Sequence, residues 1–470
     1  MSSDCSICSL IWSIFVGIPL VIAIVFAPFR LISDTRRKSK TVGFFHPYCN
    51  AGGGGERVLW AAIRTMQKKF PDLKYYVYSG DTDATKEQIL LKARQRFGIE
   101  LDPANVHFIY LNFRSWVEAR HYPRFTMLRQ ALGGWFLALE AWCRMVPEIF
   151  IDSMGYPLSL PVFRAAGSKV VAYVHYPTIS CDMLDVVESR QETFNNSSTI
   201  AQSNFLSWAK LAYYRLFACL YWMAGKAANV VMVNGSWTQR HITAIWSRRD
   251  ISIVYPPCDV EEFMKIESVA ERILEEKKIV RLLSVGQIRP EKNHKLQLEV
   301  LHDIKEPLKE KGYQVELCIA GGCRNSEDEE RVETLKREAK EMGIDGNELR
   351  WELNIPYENL TDELSKALIS IHTMHNEHFG ISVVEAMAAS TVILSNDSGG
   401  PRMDIVKNYE GKCVGYLSIT REEYAETILK IVDEGRSQRD KIREQAKKSL
   451  SRFSDGAFEI HWNEQIQKVL

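Results

Sequence analysis

Two carboxylates, Glu377 and Glu385, stand eight residues apart in the stretch His375-Asn376-Glu377-His378-Phe379-Gly380-Ile381-Ser382-Val383-Val384-Glu385-Ala386-Met387. Gly380 and the helix formers behind it mark a loop turning into a helix. Free N–H groups at such a helix start, backed by the helix dipole, seat an anionic phosphate, with Phe379, Gly380 and Ile381 forming the seat. Glu385, further along, can accept hydrogen bonds from a pair of sugar hydroxyls. Were all eight steps helical, the two carboxylates would stand roughly 12 Å apart, on the scale of an extended nucleotide-sugar. Spacing alone fits an amphipathic core helix with two solvated glutamates equally well.

Two further clusters invite chemistry. In Gly286-Gln287-Ile288-Arg289-Pro290-Glu291-Lys292-Asn293-His294 a strand-like run ends in a basic turn, and Arg289 and Lys292 there supply the cations a leaving diphosphate requires. His175 follows Val170-Val171-Ala172-Tyr173-Val174 and precedes Pro177, so it lies past a strand's C-terminal end, where open α/β sheets bind ligands. Four consecutive glycines, Gly52 to Gly55, let backbone approach a ligand closely, although they form neither G-x-G-x-x-G nor a P-loop. His372, His375 and His378 recur every third residue, but the first ends a strand and the others follow in the loop, so the spacing does not make a metal site.

The elements that must carry these residues alternate between short apolar strands and helical patterns. Thr41 to Phe45, Tyr75 to Tyr78, Val106 to Ile109, Ile149 to Ile151, Val170 to Val174, Val230 to Val233 and Ser252 to Tyr255 read as strands of one sheet. Pro256-Pro257 reads as a hinge, and Arg281 to Val285 opens a second sheet continued by Leu317 to Ala320, Leu368 to Ile371 and Val392 to Leu394. Strand, glycine loop and helix form the opening of a doubly wound α/β domain.

E-x7-E preceded by His-Asn and enclosing Phe-Gly resembles the donor-site signature of the retaining GT-B glycosyltransferases. That resemblance implies two Rossmann-like doubly wound domains facing a cleft. It places the first glutamate beside the transferred sugar, the second on the nucleotide ribose, and a histidine at the place of His175 in the reaction centre. It puts Gly53 and Gly54 near the donor phosphates and assigns the diphosphate to cationic side chains rather than a metal ion. Many members carry Gly-Arg at the basic turn with a lysine five residues on. Here Gln287 takes the arginine's place, Arg289 follows two later, and Lys292 keeps its position. The candidate catalytic residues are therefore Glu377, His175, Arg289 and Lys292. The donor-binding set is Gly53, Gly54, Arg289, Lys292, Phe379, Gly380, Ile381 and Glu385.

With His46 to Asn50, Ile151 to Pro157, Tyr173 to Ser180 and Gln287 to His294, the likeness narrows. The chain is similar to the GDP-mannose-dependent α-1,2-mannosyltransferases that act on dolichol-linked oligosaccharide at the endoplasmic reticulum. What this implies is a GDP-mannose donor, a dolichol-linked acceptor, no cofactor, and other mannosyltransferases of lipid-linked oligosaccharide assembly as candidate complex partners. A GT-B transferase using another nucleotide-sugar, and a non-catalytic membrane-tethered scaffold, are the alternatives.

Length, charge and the N-terminus frame this reading. The 470 residues suffice for two large cores, expected over 41–257 and 258–448, with 449–470 crossing back to the first. Zero formal charge offers no argument for nucleic acid. Ten cysteines without paired metal-type spacing fit reduced thiols. No charge interrupts Cys5 to Phe29, and Arg30, Arg36, Arg37, Lys38 and Lys40 follow. An uncleaved transmembrane helix over 5–32, with the rest of the chain on the cytosolic face, is the expectation. Sequons at Asn195, Asn234, Asn359 and Asn396 would then be silent. The aromatic-rich stretches Phe125 to Val146 and Phe205 to Ala228 are too interrupted to span, and at least one is expected to lie in the membrane interface.

Overall fold

The computed structural model describes residues 18–122, 124–180, 183 and 204–470. The chain divides into two units, one comprising residues 1–233, 238–253 and 461–470, the other 234–237 and 254–460. The second unit thus takes over at Val254, two residues before Pro256, and the last ten residues belong to the first unit.

In the first unit α1 (Ile18–Arg36) leads into β1 (Arg37–Phe45), followed by α2 (Gly54–Lys69), β2 (Lys74–Ser79), β3 (Val106–Tyr110), α3 (Thr126–Arg144), β4 (Val146–Asp152), β5 (Lys169–Val174), α4 (Asn204–Gly225), β6 (Val230–Val233) and β7 (Ile251–Ile253). The strands form one sheet in the order β3-β2-β1-β4-β5-β6-β7, every neighbouring pair parallel. Thr41 to Phe45 are buried without alternation, as an interior strand covered by helices on both faces must be. The order reverses between β1 and β4. Their C-terminal loops therefore diverge to opposite faces, leaving the crevice where such sheets take ligands.

In the second unit come α5 (Ala270–Lys277), β8 (Ile279–Val285), α6 (His294–Glu310), β9 (Gln314–Gly321), β10 (Leu349–Leu353), β11 (Ile369–His372), α7 (Ile381–Ala388), β12 (Val392–Asn396), β13 (Tyr416–Ser418), α8 (Arg421–Asp433) and α9 (Gly435–Ser449). The sheet order is β10-β9-β8-β11-β12-β13, again all parallel. Relabelled from its first strand it repeats the winding of the first unit, with the reversal now between β8 and β11. At the foot of the α5–α9 packing Glu271 is clasped by Arg439 at 2.6 Å and Arg443 at 2.6 Å, all three side chains nearly closed to solvent.

Among the described residues no helix is long and apolar enough to cross a membrane. The anchor expected over 5–32 begins in residues 5–17, outside the described ones. The visible part of that helix is built onto the first unit. Phe29 stacks on Trp142 of α3 at 4.4 Å, and the Trp142 indole donates to Ser33 Oγ at 2.8 Å. The aromatic stretches are the helices α3 and α4, each half sunk in the core, with Trp135, Phe136, Trp208 and Trp222 left exposed. Of the sequons, Asn359 is exposed, while Asn234 and Asn396 are only 5% and 4% accessible. Asn195 lies outside the described residues. Cys49, Cys143, Cys219, Cys258, Cys318, Cys323 and Cys413 are free thiols.

Candidate active site

In the second unit the two loops that flank the strand-order reversal meet. The loop after β8 carries Lys292, and the loop after β11 carries Glu377. Lys292 Nζ lies 2.5 Å from Glu377 Oε2, with both side chains mostly buried. Lys292 is aimed by packing, since its stem runs over Gly286, where a Cβ would lie 3.5 Å from Lys292 Cδ. Its backbone is hooked to the neighbouring strand end by Thr373, whose hydroxyl donates to Lys292 O at 2.8 Å. Gln297 of α6 in turn donates to the Thr373 hydroxyl at 2.9 Å.

Glu377 receives a second partner that the sequence reading did not single out. His372, the last residue of β11, places Nε2 3.1 Å from Glu377 Oε2. A carboxylate only accepts, so Nε2 carries the proton and donates. The other carboxylate oxygen takes the His378 N–H at 3.2 Å. Burial alone would raise the Glu377 carboxyl, but the Lys292 ammonium and the His372 hydrogen bond outweigh it and hold it well below the usual range. Burial lowers His372, and Lys292 pushes the same way against the pull of Glu377, so the imidazole stays neutral. Nearby His294 is 3% exposed, and both its ring nitrogens are buried without a hydrogen-bond partner. Burial first, then the positive charge of Lys292, brings it down to about 4.

The structure distributes the expected donor set unevenly. Arg289 does not join Lys292: its half-exposed guanidinium turns to Glu291 at 3.7 Å. The Phe379 ring is core, stacked on Tyr255 at 5.6 Å and edge-on to Phe453 at 5.3 Å, so only its backbone is left for a ligand. Gly380 caps α7 with φ 105°, a conformation that needs glycine. Helix α7 starts at Ile381, so Glu377 precedes it in the loop and the all-helical separation does not apply. Ile381 and Glu385 are half-buried on α7, Glu385 on its second turn. Opposite, Gly399 and Gly400 crowd against this loop, and Gly400 N–H donates to Glu377 O at 2.6 Å. The three histidines part company. His372 faces Glu377, His375 is exposed, and His378 lies 5.2 Å from Trp237. Among the described residues no group of three or more His, Cys, Asp or Glu side chains could hold a metal ion.

In the first unit the equivalent reversal between β1 and β4 carries the glycine loop. Glu56, three residues into the loop-to-helix turn, accepts the N–H of Gly53 and lies 3.3 Å from His46 Nε2. His46 Nδ1 is 3.0 Å from Ser153 Oγ, and His175 Nε2 is 3.2 Å from Ser153 O, donating to that carbonyl. A Cβ on Gly55 would sit 3.8 Å from His175 Nε2 and 4.0 Å from His46 Cε1, so the loop runs directly over two imidazoles. Gly54 opens α2, whose first N–H groups are the phosphate-seeking end of a helix. Burial alone would raise Glu56, but His46 and the Gly53 N–H reverse it, and the carboxyl is lowered. Asp152 behind them is fully buried, accepting from Met154 and Gly155 N–H at 3.0 Å each, and burial lifts it to about 6.

Two family descriptions match the chain in tandem: ALG11 mannosyltransferase N-terminus over residues 39–246 and glycosyl transferases group 1 over 265–449. A Caenorhabditis elegans protein called GDP-Man:Man(3)GlcNAc(2)-PP-Dol alpha-1,2-mannosyltransferase is 78% identical over 98% of this chain and 97% of its own length. Its human namesake is 46% identical over 94% of this chain and 89% of its own. The chain belongs to this mannosyltransferase family. Solved structures agree on the fold of such a mannosyltransferase at far lower identity. Sucrose-phosphate synthase from Thermosynechococcus elongatus shares 14% of residues with TM-score 0.66, covering 91% of this chain and 98% of that one. HepE of Anabaena, crystallised with UDP and glucose, shares 14% with TM-score 0.59 over 91% and 99%. Both likenesses show the two Rossmann-like, GT-B-type halves.

Proposed function

We propose that the protein moves mannose from GDP-mannose in α-1,2 linkage onto a dolichol-diphosphate-linked oligosaccharide, retaining the anomeric configuration and adding the fourth and fifth mannoses of the N-glycan precursor. The observation that carries this is the buried Lys292–Glu377 contact at the strand reversal, in a chain 78% identical to a relative named for that reaction. As the bond from mannose C1 to the diphosphate breaks, negative charge gathers on the phosphate oxygens and positive charge on the ring. Lys292 and the N-terminal amides of α7 are suited to the first, and Glu377 to the sugar. Retention by double displacement needs a nucleophile on the opposite ring face. We favour a front-face reaction instead: the acceptor 2-hydroxyl bonds to C1 on the side the diphosphate leaves, and the departing phosphate oxygen takes the hydroxyl proton. In this reading Arg289 contributes from the rim, Glu385 holds the ribose, and the Gly53–Gly54 loop and His175 serve the same reaction. No metal or other cofactor is needed.

The same reading places the protein at the endoplasmic reticulum membrane, anchored by a single pass over 5–32, with its folded units on the cytosolic face. Supporting it are the basic residues that follow the apolar run and the exposed aromatics of the first unit. Phe113, Trp116, Phe125, Trp135 and Phe136 stand out beside exposed Arg124 and Arg129, a composition suited to headgroup level.

The test is transfer onto dolichol-linked trimannosyl acceptor by membranes carrying the protein. GDP-mannose should extend the glycan by two hexoses, and UDP-N-acetylglucosamine should give nothing. Extension with the second donor alone would point to a different nucleotide-sugar. No transfer with either would point to a scaffold.

A further inference from the structure

We propose that His372 is a positioning residue of the donor site: its Nε2–H holds the Glu377 carboxylate in place when Lys292 leaves it for the diphosphate. The inference rests on the reading above that Lys292 faces the donor diphosphate. In this structure Lys292 and His372 converge on the same oxygen, Glu377 Oε2, at 2.5 and 3.1 Å. One ammonium cannot neutralise a buried carboxylate and a diphosphate equally, so donor binding must draw Lys292 away from Glu377. A buried carboxylate left with only the His378 N–H, at 3.2 Å on its other oxygen, pays a large desolvation cost or swings out of position. His372 prevents both.

The fold equips it for that. His372 is 5% exposed, and its backbone carbonyl accepts the Tyr424 hydroxyl of α8 at 2.9 Å. Strand pairing with Ser395 of β12 fixes the residue from the other side. Being neutral, the imidazole adds a directed hydrogen bond without a second charge that would compete with the diphosphate for Lys292. Nothing about the resting Lys292–Glu377 pair requires it. Its use appears only when the lysine moves.

The full chain in membranes, as wild type and as His372→Leu, His372→Gln, His372→Asn and Lys292→Ala, tests this through kcat and KM for GDP-mannose and Kd for GDP and GMP. Lys292→Ala should weaken GDP and leave GMP unchanged, which establishes where the β-phosphate lies. His372→Leu should weaken GDP about tenfold, or about 1.4 kcal/mol, lower kcat by at least as much, and change GMP binding less than twofold. Glutamine, which can still donate to Glu377, should restore most of the loss. Asparagine, polar but too short, should not, and this pair decides the matter even if the leucine variant fails to fold. His372→Leu within twofold of wild type, or His372→Gln no better than His372→Asn, overturns the role. Lys292→Ala with unchanged GDP affinity overturns the underlying placement of the diphosphate, and the inference with it.

Discussion

A Cβ on Gly133 of α3 would lie 2.0 Å from the backbone carbonyl oxygen of Trp116. The loop after β3 is pressed onto that helix at a point where no side chain fits. It is also tied down along its length: Glu140 accepts the N–H groups of Asn112 at 2.9 Å and Phe113 at 3.1 Å, and Gln130 donates to Val117 O at 2.8 Å. A rigid loop thus carries Phe113 and Trp116, whose side chains remain 46% and 43% exposed. Gly133→Ala should cost about 1–3 kcal/mol by overpacking. Thermal unfolding, followed with membrane binding to vesicles, should show both reduced. Unchanged melting would mean that the loop is not held this way.

Glu377→Gln keeps the shape of the side chain and removes the charge that engages Lys292 and His372. Turnover with GDP-mannose should fall by roughly 10²-fold, the scale of one lost transition-state contact. GDP affinity should stay near wild type, because the lysine is then free for phosphate. Normal transfer by this variant would refute the assigned role of Glu377.

His294 gives a pH dependence of known sign. Its native value of about 4 lies below the unfolded one near 6.5, so the neutral form is the one folding favours. The stability tied to it is complete above about pH 6.5 and drains away as pH falls toward 4, amounting to roughly 3 kcal/mol over that window. His294→Leu removes this part, since neither ring nitrogen has a partner to lose. Denaturant midpoints at pH 7 and pH 5 should then differ less in the variant than in wild type. Equal losses would mean that the imidazole is already charged in the fold.

Glu271 sits between two arginines with Arg439 only 3% exposed. Glu271→Gln leaves the buried Arg439 guanidinium without a counter-charge and Arg443 with Asp440 alone, at 2.9 Å, and the second unit should lose about 3–5 kcal/mol. Calorimetry that resolves this unit checks it. A loss under about 1 kcal/mol would show that water reaches the pair.

The interior strands were legible because burial on both faces leaves continuous apolar runs, as in Thr41 to Phe45 and Val170 to Val174. Two edge strands were not. Leu349–Leu353 is half-buried throughout, with Arg350 bonded to Glu316 and Glu363, so its composition reads as surface. Tyr416–Ser418 is three residues long, below any periodicity. The strand expected over Ser252 to Tyr255 is Ile251–Ile253, starting one residue earlier and ending two residues earlier. At the site, Glu377 and Lys292 announced themselves by chemistry and spacing. That they touch, while Arg289 turns to Glu291, depends on which way a short turn faces, and no local pattern encodes that. His372 was visible only as the end of a strand and as the first of three evenly spaced histidines. A histidine five residues ahead of an active carboxylate, across a loop, was the available signal, and its meaning lay in the third dimension.

The amides of Asn234 and Asn396 lie under the folded surface, and Asn396 Oδ1 is held at 2.6 Å by the hydroxyl of Ser398, the third residue of its own sequon. An oligosaccharide on Asn234, just past β6, or on Asn396, which ends β12, would have to arrive before that strand joins its neighbours, and afterwards the strand could not close. A sugar chain found on either asparagine would therefore label molecules that never reached their native form, whatever compartment they were recovered from.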